Sequence, residues 1–144
     1  MERIKIQLPK QFYFSTKIKI RITDLNYGGH VGNDSFLSLI HEAREQFLIY
    51  YGFTELNFAG AGLIMSDAAI EFKKELNYGD EVLISIAAAG FSKFGFDVFY
   101  KLELIKPDKK ILCGRVKTGM LCFDYQNKKL IALPETAIKK INAK

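Results

Sequence analysis

The sequence predicts an α+β domain in which one long central helix packs on a curved antiparallel sheet of about five strands. Three observations predict it. One early stretch repeats apolar residues at helical spacing, and several later stretches alternate with a period of two. The order β-α-β-β-β-β runs through without repeat or linker, so a single domain spanning 1–144 must bury one helix stripe against one sheet face.

The first strand is expected over 12–22, with Ile18, Ile20 and Ile22 on one face and Lys17, Lys19 and Arg21 on the other. It stops at Thr23-Asp24-Leu25-Asn26-Tyr27-Gly28-Gly29-His30-Val31-Gly32-Asn33-Asp34, too rich in Gly, Asn and Asp to continue a regular element. Phe36, Ile40, Ala43, Phe47 and Tyr50 then recur at helical spacing and predict a helix over 35–51, with Asn33 or Asp34 as N-cap and Gly52 just beyond its end. Four strands are expected over 63–75, 81–89, 94–105 and 111–125. Turns at Asn77-Tyr78-Gly79-Asp80 and Lys106-Pro107-Asp108 separate two pairs of them, and Gly90 and Gly95 flank a hairpin turn or bulge. Pro134 sits where a short terminal helix would begin.

Composition excludes several function classes. With 49% hydrophobic and 13% aromatic residues, the chain has enough apolar surface to offset the entropy of ordering, so it is not intrinsically disordered. The net charge is +5, but its Lys pairs are scattered, and no helix-turn-helix, zinc-ligand or RNP-like spacing accompanies them, which argues against a nucleic-acid partner. A modest positive field suits a phosphorylated small molecule instead. Lys73 and Lys74, at a strand end, are either phosphate contacts or ordinary surface lysines. Cys113 and Cys122 lie nine residues apart on one expected strand, hence on opposite faces and unpaired. Free thiols and an N-terminus without an apolar signal core lead to an expected cytoplasmic location, and no apolar run is long enough for a membrane span.

The Gly-rich loop carries the chemistry. A loop that feeds a helix N-terminus presents unpaired N–H groups, expected near Gly29, His30 and Val31, where the helix dipole favours developing negative charge. Asp24, Asn26 and His30 fall within seven residues of one another there. Each has a plainer role: Asp24 as a turn acceptor, His30 as a structural residue, Asn33 as a cap. Asp67 interrupts an otherwise apolar strand start and lies either on a solvent face or at the site as a second carboxylate.

The stretch Arg21-Ile22-Thr23-Asp24-Leu25-Asn26-Tyr27-Gly28-Gly29-His30-Val31-Gly32-Asn33, followed by Glu42-Ala43-Arg44 and by Gly79-Asp80, resembles the hotdog-fold thioesterases of the 4-hydroxybenzoyl-CoA thioesterase-like and acyl-CoA thioesterase group. The resemblance covers 17–123. It implies a hotdog fold, hydrolysis of an acyl-CoA thioester with CoA as part of the substrate and no metal or organic cofactor, and sites at the interface of a homodimer or homotetramer. Taken with the chemistry of the loop, strand and lysine positions above, catalytic roles are expected for Asp24, Asn26 and His30, and substrate contacts for Gly29, Val31, Asn33, Asp67, Lys73 and Lys74. One position departs from the family: Asn26 stands where many relatives carry the catalytic Asp, and an amide cannot take a proton at neutral pH. Asn26 is then left to orient a water or to bond the thioester, and Asp24 or His30 becomes the base. The same departure keeps open a hotdog protein that binds acyl-CoA or acyl carrier protein without cleaving it. The dehydratase branch of the fold places its catalytic groups differently.

Overall fold

The computed structural model describes residues 1–143. The elements in chain order are β1 (Phe14–Lys19), a 3₁₀ turn (Ile22–Asp24), α1 (Asn33–Tyr50), β2 (Gly62–Phe72), β3 (Glu81–Ala89), β4 (Gly95–Ile105), β5 (Lys110–Asp124), β6 (Lys129–Leu130) and α2 (Glu135–Asn142). All strand pairings are antiparallel, in the spatial order β1-β3-β4-β5-β2, with the short β6 paired to the end of β5. The expected α+β architecture holds, with one strand added by β6.

Alternation builds the inner face of the sheet. Val82, Ile84 and Ile86 of β3, Phe96, Val98, Tyr100, Leu102 and Leu104 of β4, and Val116, Met120 and Cys122 of β5 are all buried. The helix stripe Phe36, Leu39, Ile40, Ala43, Phe47 and Leu48 joins them in one core. Helix α1 starts two residues earlier than its apolar pattern predicts, because Gly32, in extended conformation, is the N-cap and no side chain caps the turn. Its end follows the sequence: Gly52 takes φ +86°, Phe53 N–H donates to Leu48 O at 2.8 Å and Gly52 N–H to Ile49 O at 2.9 Å, the paired bonds of a Schellman motif.

The sheet corrects one expectation. Cys113 and Cys122 are both fully buried in the same core rather than on opposite faces. Leu102 pairs with Gly114 but Glu103 pairs with Leu112, so Cys113 is the extra residue of a β-bulge and resets the alternation of β5. Nine residues of strand still keep the thiols about 30 Å apart along the chain, and both are free. The same bulge shortens β2. The amides of Lys73 and Lys74 both donate to Cys113 O, at 2.8 and 3.2 Å, which ends the β2 ladder at Phe72 rather than at residue 75. The chain from Lys73 to Asn77 is thereby turned toward the loop that precedes α1.

Before β1 the N-terminal segment has no regular structure and lies against the other side of the sheet. Ile6 N–H donates to Glu71 Oε1 of β2 at 2.6 Å, and Lys101 Nζ of β4 sits 5.3 Å from the centre of the Phe12 ring.

Candidate active site

The loop between β1 and α1 is closed by its own backbone. Gly29 N–H donates to Asn26 O at 3.1 Å and Asn26 N–H to His30 O at 2.9 Å, making a tight turn with Gly29 at φ +81°. The segment after β2 then fixes the loop in space, since His30 bridges to Asn77 and Val31 N–H donates to Leu76 O at 2.9 Å. Two pieces of chain more than forty residues apart thus meet at the start of α1.

Between them lies a cavity of about 320 Å³ lined by Asn26, His30, Val31, Asn33, Phe36 and the run Phe72 to Leu76. The polar wall is Asn26, His30 and Asn33. Lys73, Lys74 and Glu75 line it as well, and the His30 imidazole Nε2 stands 3.8 Å from Glu75 Oε1. Asn26 Oδ1 accepts from Gly28 N–H at 2.9 Å, which fixes the amide's orientation. Glycine at 28 has a spatial reason: a Cβ there would stand 3.2 Å from Asn26 Oδ1 and 3.3 Å from His30 Nε2, crowding the two polar atoms that face the cavity.

The structure brings together Asn26, His30, Val31, Asn33, Lys73 and Lys74 from the sequence-derived set. It does not bring Asp24 or Asp67 to them. Asp24 is buried, and its carboxylate accepts from its neighbour's backbone, Arg21 N–H at 2.8 Å, and faces the Arg21 guanidinium at 3.4 Å. It borders a separate depression with Lys17, Ser38 and Glu42. Asp67, on β2, pairs with Lys117 at 2.8 Å, and this hydrogen bond holds its carboxyl below the usual carboxylate range.

The expected oxyanion donors also move. The Gly29 and Val31 amides are engaged by the Asn26 and Leu76 carbonyls, so they are closed to a ligand. Within α1 the first intrahelical bond is Phe36 N–H to Gly32 O, which leaves the amides of Asn33, Asp34 and Ser35 without a helical acceptor at the positive end of the helix dipole. Asn33 lines the cavity at that point. The sequence reading missed Phe72, Glu75 and Leu76 as cavity residues. No local motif marks them, because their place depends on where β2 stops pairing.

No group of three or more His, Cys, Asp or Glu side chains among the described residues is arranged to hold a metal ion, and no described helix is long and apolar enough to cross a membrane.

Comparison with known proteins bears on the family and the fold. The sequence profile of the thioesterase-like superfamily matches residues 20–141. A 1,4-dihydroxy-2-naphthoyl-CoA hydrolase of Microcystis aeruginosa is 29% identical over 120 residues, covering 81% of this chain and 84% of the relative. Among solved structures, a 1,4-dihydroxy-2-naphthoyl-CoA thioesterase from Synechocystis superposes with a TM-score of 0.76 at 22% identity, over 90% of this chain and 96% of that one. A mutant 4-hydroxybenzoyl-CoA thioesterase in complex with 4-hydroxybenzoyl-CoA gives a TM-score of 0.80 at 16% identity, over 90% and 98% of the two chains. The architecture of one helix on an antiparallel sheet is therefore the hotdog fold.

Proposed function

The chain belongs to the thioesterase-like superfamily, and from that premise we propose that it hydrolyses an acyl-CoA thioester to the free carboxylic acid and CoA at the cavity before α1. The observation that carries this reading is the convergence of Asn26, His30 and Asn33, the first residue of α1, on one cavity. Hydrolysis needs a polarised carbonyl, a positioned water and a proton acceptor, and these groups supply all three.

In this reading the thioester carbonyl oxygen rests on the amides that open α1, around Asn33. Water held by the Asn26 side chain attacks the carbonyl carbon and gives a proton to His30. Glu75, 3.8 Å away, stabilises the imidazolium. The tetrahedral intermediate then breaks its C–S bond, and the departing CoA thiolate takes up the proton from His30. Water, base and donors suffice for this chemistry without metal or organic cofactor. Lys73 and Lys74 contact the phosphates of CoA. The hydrolases named for 1,4-dihydroxy-2-naphthoyl-CoA among the relatives support an aromatic acyl group.

A homodimer or homotetramer belongs to the same proposal. Strand β2 lies at the end of the sheet order, with Met65 and Phe72 exposed along it, and an uncovered edge of this kind invites a second copy. Light scattering behind size-exclusion chromatography tests it.

One observation favours a second reading, a protein that holds acyl-CoA without cleaving it. Glu75 is the one carboxylate lining the cavity among the described residues, and Asn26 replaces the acid of many relatives. Release of CoA thiol from a panel of acyl-CoA esters separates the two: turnover that falls about 10²-fold in His30→Ala supports the hydrolase, and tight binding with no thiol release supports the binding protein.

A further inference from the structure

The side-chain amide at position 26 presents different ends to different neighbours. Asn26 Oδ1 accepts from Gly28 N–H at 2.9 Å, so its carbonyl end is engaged and the NH₂ end is the one left to meet a ligand. That end lies beside the start of α1. A Cβ at Gly32 would stand 3.7 Å from Asn26 Nδ2 and 2.7 Å from Asp34 Oδ1, so the amide nitrogen and the Asp34 carboxylate flank one point. Gly32 is buried, with φ −74° and ψ 161°, a backbone that any residue adopts, so glycine there serves space and not conformation. Asp34 is also the acid of this region left without a partner. Asp24 is held by Arg21, Glu75 faces His30 and Asp80 accepts from Asn77 N–H at 2.8 Å. No hydrogen bond or ion pair among the described residues engages the Asp34 carboxylate, which is exposed to solvent in the first turn of α1, next to the cavity residue Asn33.

We propose that the Asp34 carboxylate accepts a hydrogen bond from the attacking water, and so supplies from the first turn of α1 the negative charge that an amide at position 26 lacks. The proposal rests on the hydrolytic reading above and deepens it. With Oδ1 engaged, Asn26 holds the water by donating from Nδ2 to its oxygen, and a donor alone fixes neither hydrogen of the water. Asp34 fixes one. The other proton passes to His30 as the water oxygen bonds to the carbonyl carbon and the carbonyl π pair moves onto its own oxygen. The hydrogen held by Asp34 stays on the new hydroxyl, so the carboxylate ends the step with its charge unchanged. Its contribution is to turn a lone pair of the water toward the carbonyl and to raise the electron density on the attacking oxygen. Gly32 belongs to the same device, since a methyl group there would press on the Asp34 oxygen. The plainer role for Asp34 is an acid at the positive end of the helix dipole, which steadies α1 and leaves the chemistry alone.

The test measures thiol release from acetyl-, hexanoyl-, benzoyl- and dodecanoyl-CoA by wild type, by Asp34→Ala, and by Asp34→Ala combined with Asn26→Asp. Position 34 is exposed and alanine suits a helix, so folding is not at stake, and melting temperatures check this. Asp34→Ala is expected to lower kcat by about 10-fold or more with KM within about 2-fold of wild type, because the lost contact is to the attacking water and not to the ester. The double variant should recover most of that loss. An aspartate at 26 keeps one oxygen on Gly28 N–H and brings its second oxygen to the place of Nδ2, against the same water. A role confined to the helix dipole lowers the melting temperature by a few degrees at unchanged kcat, with nothing for Asn26→Asp to restore. Asp34→Ala turnover within about 2-fold of wild type therefore overturns the proposal while the hydrolytic reading stands, and so does a double variant no faster than Asp34→Ala. A wild type that releases no thiol from any of the four esters overturns both.

Discussion

The Arg44 guanidinium donates through Nη1 to the Tyr100 hydroxyl at 3.1 Å, tying the middle of α1 to the middle of β4 inside the core. Arg44 Nε also donates to Glu55 Oε1 at 2.9 Å, and the Tyr100 hydroxyl shares a 2.7 Å hydrogen bond with Thr118 Oγ1. His41 Nε2 approaches Glu55 Oε1 at 3.1 Å from the surface. Burial alone would push the Arg44 pKa down, and Tyr100 and Glu55 more than offset it, so the guanidinium stays charged in the core. This is the arginine of the Glu42-Ala43-Arg44 stretch, and it anchors the helix that carries the site.

Removing Arg44 leaves Tyr100 only Thr118 and partly buried Glu55 only His41 as partners. Arg44→Ala is expected to destabilise the protein by about 1.5–3 kcal/mol, the usual worth of hydrogen bonds to a charged group. Tyr100→Phe should cost about 1–3 kcal/mol, since it strands Thr118 and one guanidinium N–H. Urea unfolding followed by circular dichroism measures both. The double variant should lose less than the sum of the two, because the residues share one network.

At the cavity, Asp24→Ala and His30→Ala should behave differently although their side chains lie six residues apart in sequence. His30→Ala is expected to lower kcat by about 10²-fold with little change in melting temperature. Asp24→Ala removes the acceptor for Arg21 N–H that holds the turn before the loop, so its main effect should be lost stability of about 1–2 kcal/mol. Asn26→Asp should keep or raise kcat, because it places a carboxylate where the water is held. Equal loss of kcat in the Asp24 and His30 variants at full stability would return the role of base to Asp24.

Lys73→Ala combined with Lys74→Ala is expected to raise KM for an acyl-CoA by about 10-fold while kcat changes little, since point charges on distant phosphates bind ground and transition states alike. The variant's KM should also respond less steeply to salt between 50 and 200 mM than the wild type's, about one Debye length of screening being the relevant scale. A wild-type KM indifferent to salt contradicts the assignment.

Both thiols should be silent in the folded protein. Burial pushes the Cys122 thiol up to about 11 and the Cys113 thiol in the same direction, so the reactive thiolate is scarce at pH 8. Ellman's reagent is expected to titrate neither cysteine in native buffer and both in guanidinium chloride. Early reaction of one thiol under native conditions would show that the bulge at Cys113 opens.

The N-terminal segment should loosen in acid. The Ile6 amide, then Lys73 and Arg115, hold the Glu71 carboxyl below its ordinary value of 4.5. A carboxylate with a depressed pKa stabilises the fold above its unfolded pKa, and that contribution is lost as pH falls through the lower folded value. The protection factor of the Ile6 amide, exchange corrected for its intrinsic rate, is therefore expected to fall as pH drops below the ordinary carboxylate range. Glu71→Gln should show the same lower protection at neutral pH.

The sequence determined what depends on neighbours in the chain. The apolar spacing from Phe36 to Tyr50 set the face of α1, Gly52 set its end, and alternation located four strands to within a few residues. The shared location of Asn26, His30 and Asn33 was legible because a Gly-rich stretch before a helix marks one loop, and all three line one cavity. Tertiary structure decided the rest. The bulge that turns Cys113 inward depends on how β4 and β5 pair, and periodicity within one strand carries no record of a partner's register. The Gly29 and Val31 amides, open donors in the sequence reading, are closed by Asn26 O and by Leu76 O, the latter 45 positions from Val31. Phe72, Glu75 and Leu76 enter the cavity through the backbone pairing of the loop with the segment after β2, while Asp24 lies away from it with its carboxylate accepting from Arg21 N–H. Hydrogen bonds between distant backbone groups involve no side chain, so the sequence around each partner does not announce them.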